Sequence, residues 1–554
     1  MDTRAEIFIK QFETLSQNRK PIEDNWQAIY EVTDPENAFI TKKYDPASVL
    51  DNDLLCSVAR QCIPKFVAAM QGMVTPPNQR WHSLVPPTEE LKNDKEVRSY
   101  LEKLTSNLFE MRYRPSAGFN DAQIKNWDNY AKPGEAVMLI DEDPGKGTVY
   151  TSVHPKDFYV ILDKRRRIKK GFHKMTKAFW ELTEELEAAG INPSNVLPAK
   201  ILEDGQKNEL MEINTINVIF HMNAKEKAEH SYVLTRVDGT KEKIEYEYWG
   251  CLLINDGPHK EIIKEQGYFS CPYTFTRFKP SLFSVHSSSP SSQSLNDINM
   301  LQRVRKSIIE GTEKAVDPIL LAKSDASYFH AQAGTVIKGG IGPDGKRAVD
   351  VLDTSGNIGL GVEFENVIGK SIENNYLVTL FMMFLDRTGM TATEIRQRDF
   401  ERALLMSIYA YPIESEMLEP MIHRELDIMK RMGKFPQDMP DKLKELIDNN
   451  YPFYAIQYEG EAHRAQELLE GAGIMQTLEA GAVLTQYDAR IKAAFKAYTC
   501  LSKIGRVNNM PSDCIVSEKE FKGIDITQDP VSGNTTENAA MVTDRLKAGL
   551  MNTF

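Results

Sequence analysis

The sequence predicts an α+β protein in which helices predominate, and three observations lead to that class. Apolar residues recur at the helical period along three long stretches, residues 7–30, 295–315 and 395–429. Between residues 135 and 280, short runs rich in β-branched and aromatic residues alternate with turn sequences, as antiparallel strands do. The 554 residues, 41% hydrophobic and 26% charged, are enough to fold around several hydrophobic cores.

The N-terminal part predicts helices that are joined by a rigid turn. A polar helical pattern fills the first 45 residues, and a second helix is expected from about Asp51 to Met73. The pair Pro76–Pro77 ends that helix, and the pair Arg80–Trp81 that follows is expected to place an aromatic anchor in a core. Two further helices are predicted over residues 90–111 and 120–130.

The next part predicts antiparallel strands with one short helix among them. The turn sequence Asp143–Gly147 separates two strand-like runs and so predicts a hairpin. The basic run Lys164–Arg167 separates two more and predicts a second hairpin or a meander. An amphipathic helix is expected over residues 176–189. The predicted strands are residues 135–140, 148–153, 159–162, 168–172, 215–220, 231–236, 243–248 and 252–254.

Two predicted helices then enclose a small glycine-rich β module. A serine-rich link, residues 284–294, leads into a helix over residues 295–317 that ends at Asp317–Pro318. Residues 319–363 change to strand and turn sequences, and residues 366–384 return to a helical pattern. Several charged residues lie largely outside the apolar face of the first helix: Arg303, Lys306, Glu310 and Glu313.

The stretch from Leu385 to Gly433 predicts a short polar loop followed by a long helix. Thr391 and Glu394 form the capping-box pattern that opens a helix. Pro412 and Pro420 remove backbone donors within the apolar repeat, so kinks are expected there. The expected end of the helix is at Lys430, Arg431 and Gly433. Beyond it we expect an extended run over residues 451–458, helices over residues 461–480 and 488–503, and a polar tail from residue 527 with a marginal helix near residues 539–551.

Two motifs resemble binding loops but stand in the wrong context. Residues 340–346, Gly-Ile-Gly-Pro-Asp-Gly-Lys, fit both G-x-G-x-x-G and G-x-x-x-x-G-K. A phosphate loop continues with Ser or Thr and opens a helix, whereas this chain has Arg347 and then a strand pattern, Ala348–Leu352. Asp141–Gly145 begins like a calcium loop, but its twelfth position is Ser152 rather than glutamate. We expect neither a nucleotide nor a calcium site.

The remaining reactive residue types form no recognisable site. The ten histidines show no H-E-x-x-H or other ligand spacing, and no serine lies in a G-x-S-x-G sequence. Single histidines such as His154 and His423 are interpreted as structural. The six cysteines form no C-x-x-C pair and are expected to be buried thiols. The sequence therefore predicts no catalytic residue, no metal site and no cofactor.

Charge and hydropathy restrict the possible partners. The net charge of −12 argues against a broad nucleic-acid-binding surface, which depends on Lys and Arg. The dense basic run Lys164–Lys170 is either a solvated turn or a contact with nucleic acid or an acidic partner, and the sequence leaves both open. No apolar run approaches the roughly 20 residues of a membrane span, and the N-terminus lacks a signal-peptide pattern, so the protein is expected to begin in the cytosol.

Five stretches, together with the order of the predicted elements, point to one family. The stretches are Gln71–Trp81, Pro272–Arg277, Ser289–Pro290, Met390–Glu394 and Ala462–Gln466. In sequence and order they resemble the portal, or head-to-tail connector, proteins of short-tailed bacteriophages of the T7-like kind. Two departures affect local contacts, since that family tends to have Tyr-Gly-Arg before the Ser-Pro and Arg-Trp in the earlier segment. Here the corresponding residues are His286–Ser288 and Arg277–Phe278.

The resemblance implies a structural, non-enzymatic subunit that forms a ring of twelve copies at one capsid vertex. Double-stranded DNA would pass through the central channel, without sequence specificity, during packaging and ejection. The implied partners are the large terminase subunit, then the tail adaptor protein, and the major capsid and scaffolding proteins, with no membrane. The implied locations are the head–tail vertex of the virion and, during assembly, the host cytoplasm.

The resemblance also implies a division of the chain and a set of functional residues. The implied regions are a wing (1–294), a first stem helix (295–318), a clip (319–365), a second stem helix (366–384), a channel loop (385–391), a long kinked wing helix (392–434) and a crown (435–554). The implied channel loop consists of Asp386, Arg387, Thr388, Gly389 and Met390. Candidate channel-lining or DNA-proximal residues are Arg303, Lys306, Arg396 and Arg398. Candidate clip contacts are Lys338, Asp344, Lys346 and Arg347.

Two alternatives from other classes remain open at this point. One is a DNA-packaging enzyme, either an ATPase or a nuclease, and the other is a monomeric tail adaptor protein. The missing phosphate loop and the missing metal-binding carboxylates count against the enzyme.

Overall fold

The computed structural model describes residues 3–43, 54–77, 79–92, 94–143, 147–235, 241–316, 320–322, 341, 349–351, 358–382, 409–449, 451–458, 473–481 and 497–507. The chain divides into two compact units, residues 1–85 with 100–466 and residues 86–99 with 467–554. In the second unit the described helices include Glu89–Lys92, residues 473–481 and Ala497–Val507.

The helices follow the predicted predominance. Those up to residue 382 are α1 (Arg4–Thr33), α2 (Val58–Val74), α3 (Glu89–Lys92), α4 (Lys95–Arg112), α5 (Phe119–Ala131), α6 (Phe179–Ala188), α7 (Pro193–Val196), α8 (Ala199–Lys207), α9 (Ala224–Glu229), α10 (Pro290–Val316), α11 (Ile358–Asn375) and α12 (Val378–Met382). Beyond residue 409 the first unit has the helices Glu419–Arg431 and Asp441–Asp448.

The strands all pair in antiparallel fashion. They are β1 (His82–Val85), β2 (Glu135–Asp143), β3 (Gly147–Val153), β4 (Phe158–Leu162), β5 (Ile168–Ala178), β6 (Glu212–His221), β7 (Tyr232–Thr235), β8 (Lys241–Ile244), β9 (Tyr248–Asp256), β10 (His259–Tyr268), β11 (Tyr273–Arg277), β12 (Lys279–Pro280), β13 (Ser287–Ser288), β14 (Leu320–Ala322), β15 (Val349–Val351) and β16 (Ala455–Tyr458). The larger sheets have the orders β10-β9-β6-β5-β4 and β11-β2-β3.

The five-stranded sheet is the centre of the first unit, and its two faces bury different partners. Alternate residues of a strand point to opposite faces, so Val218 and Phe220 of β6 face one way and Ile219 the other. On the first face they meet Phe8 and Phe12 of α1. On the second face Ile219 meets residues of the three-stranded sheet. The result is three layers, helix α1, the five-stranded sheet and the three-stranded sheet.

Several predicted elements are confirmed. The β2–β3 and β4–β5 hairpins lie where the turn sequences placed them. Trp81 is buried, as expected of an aromatic anchor, and its indole N–H donates to the Tyr113 hydroxyl at 2.9 Å. The extended run 451–458 supplies β16, which pairs with β1. The mixture of helices and strands confirms the α+β class.

Other boundaries were predicted wrongly. Helix α2 begins at Val58 rather than near Asp51, and the region 90–111 holds two helices, α3 and α4. Helix α6 begins only at Phe179, because the residues up to Ala178 pair with β6 in the central sheet. Four further elements were not predicted: β10, β11, α8 and the helix Asp441–Asp448. Strand β10 lies at the sheet edge, and its mostly polar sequence gives no clear alternation.

The serine-rich stretch is not a link. Two of its serines, Ser287 and Ser288, form strand β13, and the helix begins at Pro290. The Ser289 hydroxyl accepts the backbone N–H of Ser292 at 2.8 Å, so Ser289 acts as the helix cap and Pro290 takes the first helical position. The prediction was wrong because serine was read as a linker residue, whereas a Ser-Pro pair is also a helix-start signal.

The thiols are less uniformly buried than expected. Within the described residues the free cysteines Cys56, Cys62 and Cys251 are buried, whereas Cys271 and Cys500 are only partly so. The burial of Cys62 raises the pKa of its thiol to about 11, so this thiol stays protonated at neutral pH.

The long helix after residue 409 departs from regular α-helical geometry where the prolines stand. Residues 409–413 are α-helical, Glu414–Leu418 form a π-helical turn between Pro412 and Pro420, and Glu419–Arg431 are α-helical again. Gly433 has a φ of 65°, and Lys434 N–H donates to the Met429 carbonyl at 3.1 Å, as in a Schellman motif. The predicted end is therefore confirmed, while the predicted capping box lies outside the described residues.

Candidate functional site

Helices α10 and α11 form a long antiparallel hairpin. Three contacts fix their register, an ion pair between Arg305 and Glu365, a hydrogen bond from the Ser371 hydroxyl to Asp297 at 3.0 Å, and the approach of Ile308 to Gly361. A Cβ on Gly361 would lie 3.0 Å from the Ile308 side chain, so glycine allows the two helices to pack closely. From one contact to the next, the residue number rises on α10 by about as much as it falls on α11, as expected for two antiparallel helices in constant register.

A two-stranded ribbon lies between α10 and α11 in the sequence. Leu320 of β14 pairs with Val351 of β15, and Ala322 pairs with Val349. The ribbon belongs to the region predicted as a β module, and the strand at Val349–Val351 was expected. Of the glycine-rich motif before it the structure describes only Ile341, and the next described residues, Val349–Val351, form a strand.

The other end of the hairpin is fixed in the core of the first unit. The Ser291 hydroxyl bonds to the Ala131 carbonyl at 2.8 Å and to the Tyr376 hydroxyl at 2.7 Å. Tyr376 is fully buried, and burial raises the pKa of its hydroxyl, which therefore stays neutral. Leu377 then turns the chain with a φ of 58°, and α12 follows. The helix predicted over residues 366–384 thus begins earlier, at Ile358. It is also divided in two, because α11 ends at Asn375 and α12 begins at Val378.

Two predicted site residues lie on the hairpin, and both are exposed. Arg303 and Lys306 project from α10 into solvent, as the sequence predicted, with Glu310 and Glu313 further along the same helix. Arg305, which the sequence analysis did not single out, is engaged by Glu365. The other predicted site residues lie outside the described residues: Asp386, Arg387, Thr388, Gly389, Met390, Arg396, Arg398, Lys338, Asp344, Lys346 and Arg347.

The hairpin also exposes large apolar side chains on two flanks. On α11, Leu360, Phe364 and Val367 follow helical spacing and are 62%, 46% and 64% exposed. Val362 is also exposed, but at 100° per residue it lies about 200° around the helix from Leu360. On α10, the exposed side chains of Met300 and Ile309 point in opposite directions by the same measure, about 180° apart. Sequence reasoning missed these flanks.

The Asp297–Ser371 hydrogen bond shows which side chains share a flank. Ser371 lies one turn beyond Val367 on the stripe of Leu360, Phe364 and Val367, and Asp297 lies one turn before Met300. We call this side, with Met300 and the three stripe residues, the first flank. Ile309 and Val362 lie on the second flank.

A rigid loop beside the start of the hairpin exposes two more apolar side chains. Leu282 and Phe283 are 90% and 99% exposed. The Ser281 hydroxyl accepts the Phe283 N–H at 3.2 Å, and the Ser284 hydroxyl accepts the His286 N–H at 3.1 Å. The loop joins β12 to β13, which leads directly into α10. These side chains are therefore held out of the core by an ordered loop.

An aromatic cluster holds both ends of the segment that contains the predicted channel loop. That segment is residues 383–408, which lie outside the described residues. Phe381, two residues before it, packs on Phe66 with the ring centres 6.0 Å apart. Tyr409, directly after residue 408, stacks on Phe278 at 5.2 Å, and Phe66 and Phe278 are themselves 6.2 Å apart. The described residues on either side of 383–408 therefore meet at one cluster. Tyr130 of α5 also belongs to it, with its ring centre 5.3 Å from that of Phe278.

Two buried ion pairs fix the long kinked helix, one to strand β11 and the other to helix α4. Arg277 of β11 donates to both carboxylate oxygens of Glu416, at 3.2 Å from Nε and 2.5 Å from Nη2. Arg112 of α4 donates to both carboxylate oxygens of Glu425, which also accepts the Tyr150 hydroxyl. Burial disfavours the Arg112 cation, but the Glu425 carboxylate outweighs burial and raises the pKa of the guanidinium, so Arg112 stays charged although both side chains are fully buried.

His154 and His423, which the sequence led us to interpret as structural, both form hydrogen bonds within the fold. His154 accepts the Lys156 N–H at 3.1 Å and bonds to the Tyr30 hydroxyl at 2.8 Å. Burial lowers the pKa of His154 to about 3, so the ring is neutral at physiological pH. His423 bonds to the Tyr454 hydroxyl, and burial lowers its pKa as well.

The described residues show neither a metal centre nor a membrane helix. In that part of the chain, no group of three or more His, Cys, Asp and Glu side chains could hold an ion. Among the helices of the described ranges, none is both long and apolar enough to cross a membrane.

Apolar side chains left exposed on opposite flanks of a long helical hairpin are typical of a protein that assembles with other chains. Comparison with known proteins identifies the family. Residues 5–516 match the model of the bacteriophage head to tail connecting protein family, and the chain belongs to that family. A probable portal protein of Bordetella phage BPP-1 is 18% identical over 468 residues, which cover 82% of this chain and 79% of that protein. The resemblance to portal, or head-to-tail connector, proteins is confirmed.

Proposed function

We propose that copies of this chain form a closed ring, of twelve subunits, at one vertex of the phage capsid, and that the ring is the conduit for double-stranded DNA during packaging and ejection. The large terminase subunit docks on it during packaging, and the tail adaptor replaces the terminase afterwards. Membership of the connector family supports a structural role at the head–tail vertex. The observation that carries the ring is the pair of apolar flanks on the α10–α11 hairpin.

The two flanks favour a ring over a twofold dimer. In a twofold contact the same surface meets itself, so one apolar flank would be covered and the other would stay open. In a head-to-tail contact the first flank of one copy meets the second flank of the next, and repetition around an axis covers every flank. Leu360, Phe364 and Val367 would then pack against Ile309 and Val362 of the neighbouring copy.

When both flanks are covered, each helix still exposes the polar face that points away from the other helix, which we call its back. One back can face the channel and the other the outside of the ring. Arg303, Lys306 and Glu310 lie on the back of α10, whereas Glu363 and Lys370 lie on the back of α11. We assign the α10 side, with Arg303 and Lys306, to the channel. Its mixed charge suits a conduit, because dense phosphate neutralisation would hold DNA and prevent it from sliding.

The proposed division of the chain follows the resemblance, with the helix bounds adjusted. The stem consists of α10 and α11, and the clip is the β module between them, with Lys338, Asp344, Lys346 and Arg347 as partner contacts. The wing comprises the residues before the hairpin together with the kinked helix up to residue 434, and the crown comprises residues 435–554. The channel loop, Asp386–Met390, has support from the aromatic cluster that holds both ends of residues 383–408. Assembly takes place in the host cytoplasm with the capsid and scaffolding proteins.

Cross-linking can test the head-to-tail contact directly. Two variants, F364C and I309C, carry different tags, are mixed, assembled and treated with a short bismaleimide. The ring predicts a cross-link between the two different variants, whereas a twofold contact through the first flank predicts F364C linked to itself. The unsubstituted protein, treated in the same way, reports the background from its native cysteines. Self-linked F364C without the mixed product would contradict the proposal.

A packaging enzyme or a monomeric tail adaptor would behave differently. An ATPase or nuclease would turn over ATP or cleave DNA as the purified protein, and a monomeric adaptor would give no assembly in native mass spectrometry. No described feature favours either alternative over the ring.

A further inference from the structure

The turn between β4 and β5 presents four consecutive basic residues, Lys164, Arg165, Arg166 and Arg167. It lies at the edge of the five-stranded sheet, because β4 is an outermost strand. All four residues are exposed, and Lys169 adds another exposed charge just beyond them. The chain as a whole carries a net charge of −12, so the positive charge of this turn is opposite to the net charge of the protein.

Backbone hydrogen bonds make the turn rigid. The Asp163 carboxylate accepts the N–H groups of Arg165 and Arg167, both at 2.8 Å. The Asp163 N–H donates to the Arg167 carbonyl at 2.9 Å, and the Arg166 N–H donates to the Asp163 carbonyl at 3.0 Å. The one acidic residue in the turn thus binds the backbone rather than a guanidinium. A rigid turn loses little conformational entropy when it meets a ligand.

Among the described residues the four cations of the turn have no ion-pair partner, although Arg167 acts electrostatically on Tyr248 and His423. Arg166 also has a φ of 62°, a backbone conformation in which glycine is comfortable and arginine is strained. The turn therefore has a cation at a position that glycine would occupy with less strain.

We propose that this basic turn is a contact for the phosphate backbone of DNA outside the channel. Three of the four cations are guanidinium groups, whose paired donors match phosphate oxygens. The turn has no exposed large apolar side chain, so charge and hydrogen bonding are what it offers a partner. A single turn reaches only a few phosphates, so its binding is weak and strongly salt-dependent, and repetition in an assembly strengthens it.

This contact is separate from the proposed conduit, and one substrate distinguishes the two. A covalently closed circular plasmid cannot thread through a preformed ring, so its binding reports only surfaces outside the channel. The assay is a filter-binding titration of relaxed closed circular plasmid with assembled protein at several salt concentrations. Linear DNA, measured in parallel, reports both surfaces.

The test variant is K164Q/R165Q/R166Q, and the control is K20Q/K200Q/K225Q, which removes three exposed lysines scattered over other elements. We expect the turn variant to bind the plasmid at least about tenfold more weakly and to lower the salt slope by about 2 or more, because each phosphate contact contributes about 0.9 to the slope. The control should change binding much less, since it lowers the same net charge without removing the cluster.

Equal plasmid binding by the turn variant and the unsubstituted protein, with both shown to be assembled, would overturn the proposal. If the turn variant has at the same time lost binding of fluorescent polyglutamate, the turn is a contact for an acidic protein partner instead. Substituting Arg303 and Lys306 to Gln should leave plasmid binding unchanged, because those residues belong to the proposed channel.

Discussion

Arg277 and Glu416 join the last strand of the three-stranded sheet to the π-helical turn of the long kinked helix. The guanidinium contacts both carboxylate oxygens, and the backbone N–H of Arg277 donates to Glu416 as well, at 3.2 Å. Both side chains are buried. Arg277 directly precedes Phe278, on which Tyr409 stacks, so the ion pair fixes the kinked helix close to residue 409, where the described chain resumes.

Removing one partner of this pair should destabilise the protein strongly. In E416Q the Arg277 cation stays buried without its counter-charge, which costs about 3–5 kcal/mol for a pair of this kind. Urea unfolding at one fixed protein concentration measures the loss. The control is K125Q, which breaks the exposed pair Lys125–Asp121 and should change stability little. Equal stabilities for the two variants would contradict a structural role for the buried pair.

The first flank of the hairpin should control assembly. The variant F364S/V367S removes two exposed apolar side chains from α11, so it should weaken the contact between copies without disturbing the core. We expect sedimentation velocity to show subunits in place of the large assembly, with an unchanged circular dichroism spectrum. The control K370Q changes an exposed polar residue of the same helix. Normal assembly of F364S/V367S would remove this flank from the interface.

The loop that carries Leu282 and Phe283 should also contribute to assembly. Two almost fully exposed apolar side chains on a hydrogen-bonded loop are expected to be covered in the assembly. The variant L282S/F283S should keep the thermal stability of the subunit and raise the protein concentration needed for assembly. The matched variant L210S, at another exposed leucine, should assemble as the unsubstituted protein does. A lower melting temperature with unchanged assembly would assign the loop to the fold instead.

Charge reversal in the predicted channel loop should affect DNA and not assembly. We expect R387E to form the same ring but to impair DNA packaging or retention, because it replaces a cation beside the DNA path with a repelling charge. An in vitro packaging assay that scores nuclease-protected DNA measures the effect, and electron microscopy verifies the ring. If R387E packages and retains DNA as the unsubstituted protein does, the loop has no part in the mechanism.

His154 should make stability depend on pH in the acidic range. Its pKa is about 3 in the folded protein and about 6.5 when unfolded, so the unfolded chain binds the extra proton. Stability from this group is therefore complete above pH 6.5 and falls as the pH is lowered toward 3, by up to about 1.4 kcal/mol per pH unit. Urea unfolding from pH 7 to pH 4 should show a shallower decline for H154Q, and identical slopes would contradict the assignment.

The fold was predictable where the local sequence carries its own signal. The β2–β3 hairpin has turn residues between two β-branched runs, and the long helix ends at Gly433 as its basic residues and glycine predicted. Strand β10 was not predictable, because a polar edge strand owes its structure to pairing with β9 rather than to its own pattern. The start of α10 was misjudged because serine serves both as a linker residue and as a cap.

The candidate site was predictable only in part. The sequence placed Arg303 and Lys306 correctly on the exposed side of a helix, since helical spacing fixes direction. It missed Arg305 as the partner of Glu365, because that pair depends on the register between two helices 60 residues apart. It also missed the two apolar flanks, since periodicity alone cannot separate a residue that faces its own core from one that faces another copy.

Electron microscopy of the purified, assembled protein tests the central claim most directly. Class averages viewed along the particle axis should show a ring with a central channel and twelvefold symmetry, and side views should show a narrower stem built from the α10–α11 hairpins. Particles without a central channel, or with twofold symmetry only, would contradict the account.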